Sequence, residues 1–267
     1  MSDLPIIGLH GAPRSGTTWI GQIFNSAPQA AFRFQPFFAH AFRPRVDAAT
    51  SAADLEQILS EIAATDDDFI LQRGGGRMAK DDLAFEKSSP RQVVYKEVRY
   101  HHLLPTLMEI ARFRGVGIIR DPLEVLSSWR AAPREFDPAW DFREEWRTAG
   151  LKNAGRIEEF YGYDGWKRAA LIFEAMAARY PERFRILRYG DLTADPLGET
   201  ERLFGFLGVA MTDQTGAFLA RSTSRDDGDT YGVFRDLPRR APPELPTEVR
   251  EAVLEDLAAC DLATYLA

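Results

Sequence analysis

A short apolar run, Ile6-Ile-Gly-Leu9, leads into Gly11-Ala-Pro-Arg-Ser-Gly16, and the residues that follow place Trp19, Ile20, Ile23 and Phe24 at helical spacing. A strand, a tight glycine loop and a helix in immediate succession constrain the fold more than any other stretch of this chain. Asn25-Ser-Ala-Pro28 stops the helix, because proline disfavours helical geometry in the residue before it. The Gly-x-x-x-x-Gly spacing is that of a phosphate loop, whose backbone N–H groups and following helix N-terminus cradle an anion. Two glycines alone would fit an ordinary Gly/Pro turn equally well. Arg14, Thr17 and Thr18 add a guanidinium and two hydroxyls to the same few residues and favour the anion.

A nucleoside-triphosphate loop has lysine where this chain has Thr17, followed by the hydroxyl that holds magnesium. Here the cation has moved three residues earlier, to Arg14. That suits a phosphate that leaves as a group, with less need of a metal clamp.

Further along, residues 52–64 carry Leu55, Ile58, Leu59 and Ile62 on one helical face, and Asp66-Asp-Asp68 and Gly74-Gly-Gly76 mark loops. Val93-Val-Tyr95 opens a second strand, residues 103–111 are expected to be helical, and Val116-Gly-Ile-Ile119 is a buried third strand. Residues 169–179 form a helix, 184–189 a fourth strand, 196–207 a helix ended by Gly208, and a last helix begins near Pro246. Strands separated by helices imply parallel pairing. The expected fold is therefore α/β: a three-layer sandwich with a central parallel sheet, P-loop NTPase-like, forming one domain over 1–267. Residues 131–168, where Trp140, Trp146, Tyr161, Tyr163 and Trp166 alternate with charged residues, read as a helical insertion within it. It is either a lid lining a cleft or, for most of these aromatics, a packed helical subregion.

The 267 residues carry 33 Lys+Arg against 40 Asp+Glu, a formal net charge of −7, which argues against broad nucleic-acid or anionic-membrane binding. Cys260 stands alone and forms neither an internal disulfide nor a multi-thiolate zinc site. No stretch reaches the ~18 apolar residues of a membrane span. A cytoplasmic protein without metal, membrane or nucleic-acid partner is expected.

Pro13-Arg-Ser-Gly-Thr-Thr-Trp19 resembles the 5′-phosphosulfate loop of sulfotransferases that use 3′-phosphoadenylyl sulfate (PAPS) and release adenosine 3′,5′-bisphosphate (PAP). Three further segments agree, in the family's order. Gly117-Ile-Ile-Arg120-Asp-Pro-Leu-Glu-Val-Leu-Ser-Ser128-Trp resembles its 3′-phosphate motif, Arg188-Tyr-Gly-Asp-Leu192 its Tyr-Glu-Asp-Leu segment, and residues 96–105 the strand and loop of acceptor chemistry. The resemblance spans residues 6–208. It implies that Arg14, Ser15, Gly16, Thr17, Thr18 and Trp19 hold the 5′ end of the nucleotide, that Arg120 and Ser128 hold its 3′-phosphate, and that Tyr189 stacks on adenine. Lys96 would assist at the transferred group. Arginine rather than lysine at position 14 is usual in carbohydrate and many bacterial relatives and points to a sugar or polar natural product as acceptor.

Read without the family, Arg120 at a strand's carboxyl end is either a second anion ligand or a structural residue beside an Asp121 cap. Tyr189 is equally well a half-buried strand tyrosine. The acceptor's base is not carried by the resemblance: Val98 stands where small-molecule relatives have histidine, and Gln35-Pro36 where others have Glu-Pro. If the strand from Val93 continues, Glu97, Arg99 and His101 share one face and Lys96, Val98 and His102 the other. His101, His102 and Glu97 are the candidates for the base. The resemblance further implies that residues 222–240, with Arg221, Arg225 and Arg235, close over the 3′-phosphate as a late basic loop does in relatives. The alternatives are a magnesium-dependent P-loop phosphotransferase and a nucleotide-binding protein that has lost its base.

Overall fold

Alternation along the strands decides the layering. Ile6 packs with Val93, Tyr95 and Phe113 on one side of the sheet, while Ile7, Leu9, Val94, Val116 and Ile118 pack on the other. The computed structural model describes residues 4–73, 83–234 and 244–266. Its five strands are β1 (Ile6–Gly11), β2 (Ala30–Phe34), β3 (Gln92–Glu97), β4 (Phe113–Ile119) and β5 (Phe184–Arg188). All pair in parallel in the order β2-β3-β1-β4-β5, with Leu9 opposite Lys96 and Val116.

The helices are α1 (Thr17–Ser26), α2 (Ala52–Ala64), α3 (Leu104–Leu107), α4 (Pro122–Arg130), α5 (Phe142–Glu145), α6 (Gly150–Asn153), α7 (Gly162–Arg179), α8 (Tyr189–Ala194), α9 (Pro196–Leu207), α10 (Asp213–Thr223) and α11 (Thr247–Ala259). Ile20, Ile23 and Phe24 of α1, Leu203 and Phe204 of α9 and Phe218 of α10 cover one face. Leu55, Ile58 and Ile62 of α2, Trp166 and Phe173 of α7 and Val253 and Leu257 of α11 cover the other. The α/β three-layer arrangement with its parallel sheet is as expected. From β1 the chain runs first to one side of the sheet, then to the other. The carboxyl ends of β1 and its neighbours thus form the crevice where open α/β sheets hold ligands.

Several elements differ from expectation. β2 was not anticipated, because Ala30-Ala-Phe-Arg-Phe34 is short and carries a charge in its middle. Residues 103–111 hold only a 3₁₀ turn (His101–Leu103) and the single turn α3, with Tyr100 in the left-handed region before them and Pro105 at the helix start. β5 stops at Arg188, so Tyr189 opens a helix rather than ending a strand. In the 131–168 region, Phe136, Phe142, Phe160, Tyr161, Tyr163 and Trp166 belong to the core, with Trp140 and Trp146 partly buried against it. These aromatics are packing anchors. Among the described residues no helix is long and apolar enough to cross a membrane.

The charge that obscured β2 has a structural role. Arg33 is buried, and its guanidinium donates to the carbonyls of Ile62 (2.9 Å) and Ala63 (2.6 Å) at the end of α2 and of Phe32 (2.9 Å). α2 has no basic residue in its own last turn and its Ile62 carbonyl has only a long bond from the Thr65 amide (3.4 Å), so Arg33 strengthens the donor set of its final carbonyls. Replacing Arg33 with Met should lower stability by roughly 2–4 kcal/mol, since charged hydrogen bonds to these carbonyls are lost. Urea unfolding of the two proteins measures it; a loss within error of zero contradicts this role.

Candidate active site

The loop between β1 and α1 is built from two left-handed residues, Arg14 (φ 71°) and Gly16 (φ 82°). Gly16 is required twice over, for its backbone angle and because a Cβ there would meet the Tyr189 ring at 2.2 Å. The Ser15 amide is spent inside the loop on the Ala12 carbonyl (3.1 Å), whereas the buried Ser15 hydroxyl has no partner among the described residues. α1 begins with no side-chain cap. α4 by contrast is capped by Asp121, which accepts from the Leu123 amide at 2.7 Å. An orphaned hydroxyl beside uncapped amides fits an anion, such as a nucleotide's terminal phosphate.

Arg120 leaves the end of β4 and joins this loop. Its Nη1 donates to the Arg14 carbonyl (3.1 Å) and its Nε to Glu124 (2.7 Å). Its guanidinium lies over the Tyr189 ring at 5.0 Å, and its own carbonyl accepts from the Trp166 indole (2.9 Å). The Tyr189 ring is therefore enclosed by Gly16, Arg120 and, edge-on, Trp19. The ring is a buried support for the loop, and Tyr189 opens a helix, so it is not the half-buried strand tyrosine of the alternative reading. Trp19 in turn donates to the Ser222 hydroxyl (2.9 Å).

Arg14 spans the cleft. Its Nε donates to Ser128 Oγ (3.1 Å) and its Nη2 to the Thr230 carbonyl (2.8 Å), and its Nη1 lies 3.5 Å from Glu135 Oε1. The Tyr231 ring sits 5.1 Å from the guanidinium carbon. The loop cation and the expected 3′-phosphate ligands thus form one connected group. Of the late basic residues, Arg225 lies over Phe234 (4.1 Å), and Arg235 falls outside the described residues.

On β3, Lys96 and Glu97 point to opposite faces. Lys96 is buried with its ammonium 4.7 Å from the Phe34 ring, and burial pulls its pKa down to about 8. Glu97 is wholly buried; its Oε1 accepts from the Phe37 amide at 2.8 Å, and burial pushes its carboxyl up to about 8. Arg99 donates to Gln35 Oε1 (3.0 Å) and Glu159 Oε1 (2.9 Å).

The strand ends at Glu97, so the alternation expected through residues 99–102 does not hold. His101 instead sits wholly inside the core, its Nδ1 3.2 Å from His10 Nδ1, while His10 Nε2 lies 2.9 Å from the Tyr95 hydroxyl. Phe160 and Phe173 close around it, and burial holds its pKa well below the usual histidine range. It is a core histidine, in a place no acceptor reaches. His102 is half-buried, and burial followed by Arg168 lowers its pKa. Sequence reasoning missed Glu135, which stands beside Arg14, and Glu159, which pairs with Arg99. The one available signal was charge interleaved with aromatics in that segment.

Residues 5–213 match the family model described as "Sulfotransferase family", and the chain belongs to that family. Among curated proteins it is similar to carbohydrate sulfotransferase 3 of Mus musculus, at 22% identity over 85% of this chain; it spans 60% of that relative's length. Among solved structures it is similar to mouse sulfotransferase SULT7A1 complexed with PAP (TM-score 0.56, 17% identity, 97% of this chain and 86% of that one). A second is a sulfotransferase from Alicyclobacillus acidocaldarius (TM-score 0.53, 17% identity, 98% and 96%). At these identities the structural likeness establishes the fold.

The burial of Glu97 has a measurable sign. Its carboxyl titrates at 4.5 when unperturbed and at about 8 in the fold, so the stability gained by keeping its proton is complete below the lower value and lost as pH rises through the upper. A Glu97→Gln protein should therefore gain on the wild type as pH rises from about 5 to about 8. Thermal unfolding of both across that range tests it; a constant difference contradicts the assignment.

Proposed function

We propose that this chain moves a sulfuryl group from PAPS to a hydroxyl or amine of a carbohydrate or polar natural product, releasing PAP, within one sulfotransferase domain. The observation that carries this reading is the single group formed by Arg14, Arg120, Ser128 and the orphaned Ser15 hydroxyl, in a loop with Thr17 in place of the triphosphate lysine. Ser15 to Trp19 would hold the 5′ end of the nucleotide, and Arg120 and Ser128 its 3′-phosphate. When bound, the nucleotide supplies an activated sulfuryl group. Arg14 and Lys96 stabilise the charge that gathers at the sulfuryl oxygens and the departing phosphate. A sulfuryl group carries less charge than a terminal phosphoryl group, so these cations suffice without magnesium.

The cleft wall supports a polyhydroxylated acceptor. Glu135 and Glu159 each have a buried carboxylate oxygen without a partner among the described residues, and Gln35, Arg99 and Tyr161 stand among them. Hydroxyl groups have both the donors and the acceptors such a wall requires.

PAP should bind in the presence of a metal chelator, and Arg120→Ala should weaken it by at least about tenfold, one charge-assisted hydrogen bond being worth about 1.5–3 kcal/mol. Affinity should also fall as salt is raised. Calorimetry measures both. Binding of ATP only with magnesium, and none of PAP, overturns the reading in favour of a phosphotransferase. Labelled PAPS offered with methyl glycosides, N-acetylhexosamines, alkyl alcohols, phenols and primary amines tests transfer; PAP binding without transfer to any of them indicates a nucleotide-binding protein that has lost catalysis.

A further inference from the structure

The acceptor must lose a proton, and the residues expected to take it are badly placed. His101 is enclosed by His10, Phe160 and Phe173. Glu97 is wholly buried with one oxygen held by the Phe37 amide. His102 neighbours Tyr100, with its ring nitrogens buried and without partners among the described residues.

Glu135 lies beyond α4 and meets the requirements of position. Its Oε1 is 3.5 Å from Arg14 Nη1, the cation of the phosphate loop, so the carboxylate stands beside the place where the sulfuryl group must lie. Its Oε2 makes no hydrogen bond among the described residues, although the side chain as a whole is 22% exposed. One oxygen is oriented and the other is left for a donor that the protein does not supply. Lys96 and Tyr161 lie near enough for its charge to act on both. The backbone is pinned at both ends of the residue: the Glu135 amide donates to the Ala132 carbonyl (2.8 Å), and its carbonyl accepts from the Trp129 indole (3.1 Å). Trp129 is buried in the core, so the carboxylate projects from a fixed point.

We infer that Glu135 is the general base of sulfuryl transfer and that its Oε2 receives the acceptor hydroxyl. Glu135 takes the hydroxyl proton as that oxygen forms its bond to sulfur; the bond from sulfur to the 5′-phosphate oxygen breaks, and its electron pair leaves on PAP. The proton on Glu135 then passes to solvent. Arg14 pairs with Oε1 and belongs to the loop proposed to hold the 5′ end of the nucleotide, so one residue ties the base to the electrophile's site. This inference rests on the sulfotransferase reading above.

The test compares wild type, Glu135→Gln, Glu135→Asp and Glu135→Ala, using the best acceptor from the labelled-PAPS panel and following PAP binding alongside. Glu135→Gln should bind PAP within about threefold of wild type and lose about 100-fold or more in kcat, the span of general-base catalysis. Glu135→Asp should keep part of the rate, and added formate should restore part of it to Glu135→Ala, an effect that a purely structural role does not produce. A Glu135→Gln protein that binds PAP and turns over within threefold of wild type overturns the inference and leaves the sulfotransferase reading intact. A Glu135→Gln protein that has lost PAP binding, with no formate rescue of Glu135→Ala, makes Glu135 a structural partner of Arg14 and also overturns it. A wild type that transfers to no acceptor removes the reading, and this inference falls with it.

Discussion

The constraint that the site rests on is a hydrogen bond from side chain to backbone: Arg120, at the end of β4, donates to the carbonyl of Arg14, in the loop that leaves β1. The strands are neighbours in the sheet, so their carboxyl ends are already close, but the loop's direction is not set by the sheet. Arg120 sets it, and Tyr189 backs it by filling the space that the missing side chain of Gly16 leaves. The same guanidinium holds a carbonyl of the glycine loop and places cationic charge at the end of β4. Burying it is tolerable because Glu124 and the ring face share the charge.

An acidic chain thus carries a cleft of the opposite character. Arg14, Lys96, Arg99 and Arg120 gather at the carboxyl edge of the sheet, and the Lys96 ammonium makes no ion pair or hydrogen bond among the described residues, only the contact with the Phe34 ring. A cation held in apolar surroundings without a partner costs stability, and burial accordingly draws its proton affinity down. Such an arrangement is tolerated where a ligand completes it.

Local patterns were legible in the sequence, and long-range ones were not. The glycine loop, the Asp121-Pro122 helix start and the Gly208 stop each depend on a few consecutive residues, and each lies where it was read. β2 was hidden because Arg33 looks wrong for a strand until the end of α2 is beside it. His101 looked available because an extended backbone was assumed, whereas Tyr100 turns the chain and sends the next side chain into the core. Glu135 carried no motif at all. Its significance is its distance to Arg14, a quantity that 120 intervening residues conceal.

The loop at the start of the chain is secured by residues near its other end. Trp19 is tied to Ser222 across 203 positions and Arg14 to Thr230 across 216. During synthesis, strand, loop and first helix emerge early, and most of the sheet follows, while both of these ties are still inside the ribosome or not yet made. A loop made about 200 residues ahead of its braces therefore stays incompletely held until Ser222 and Thr230 have been added.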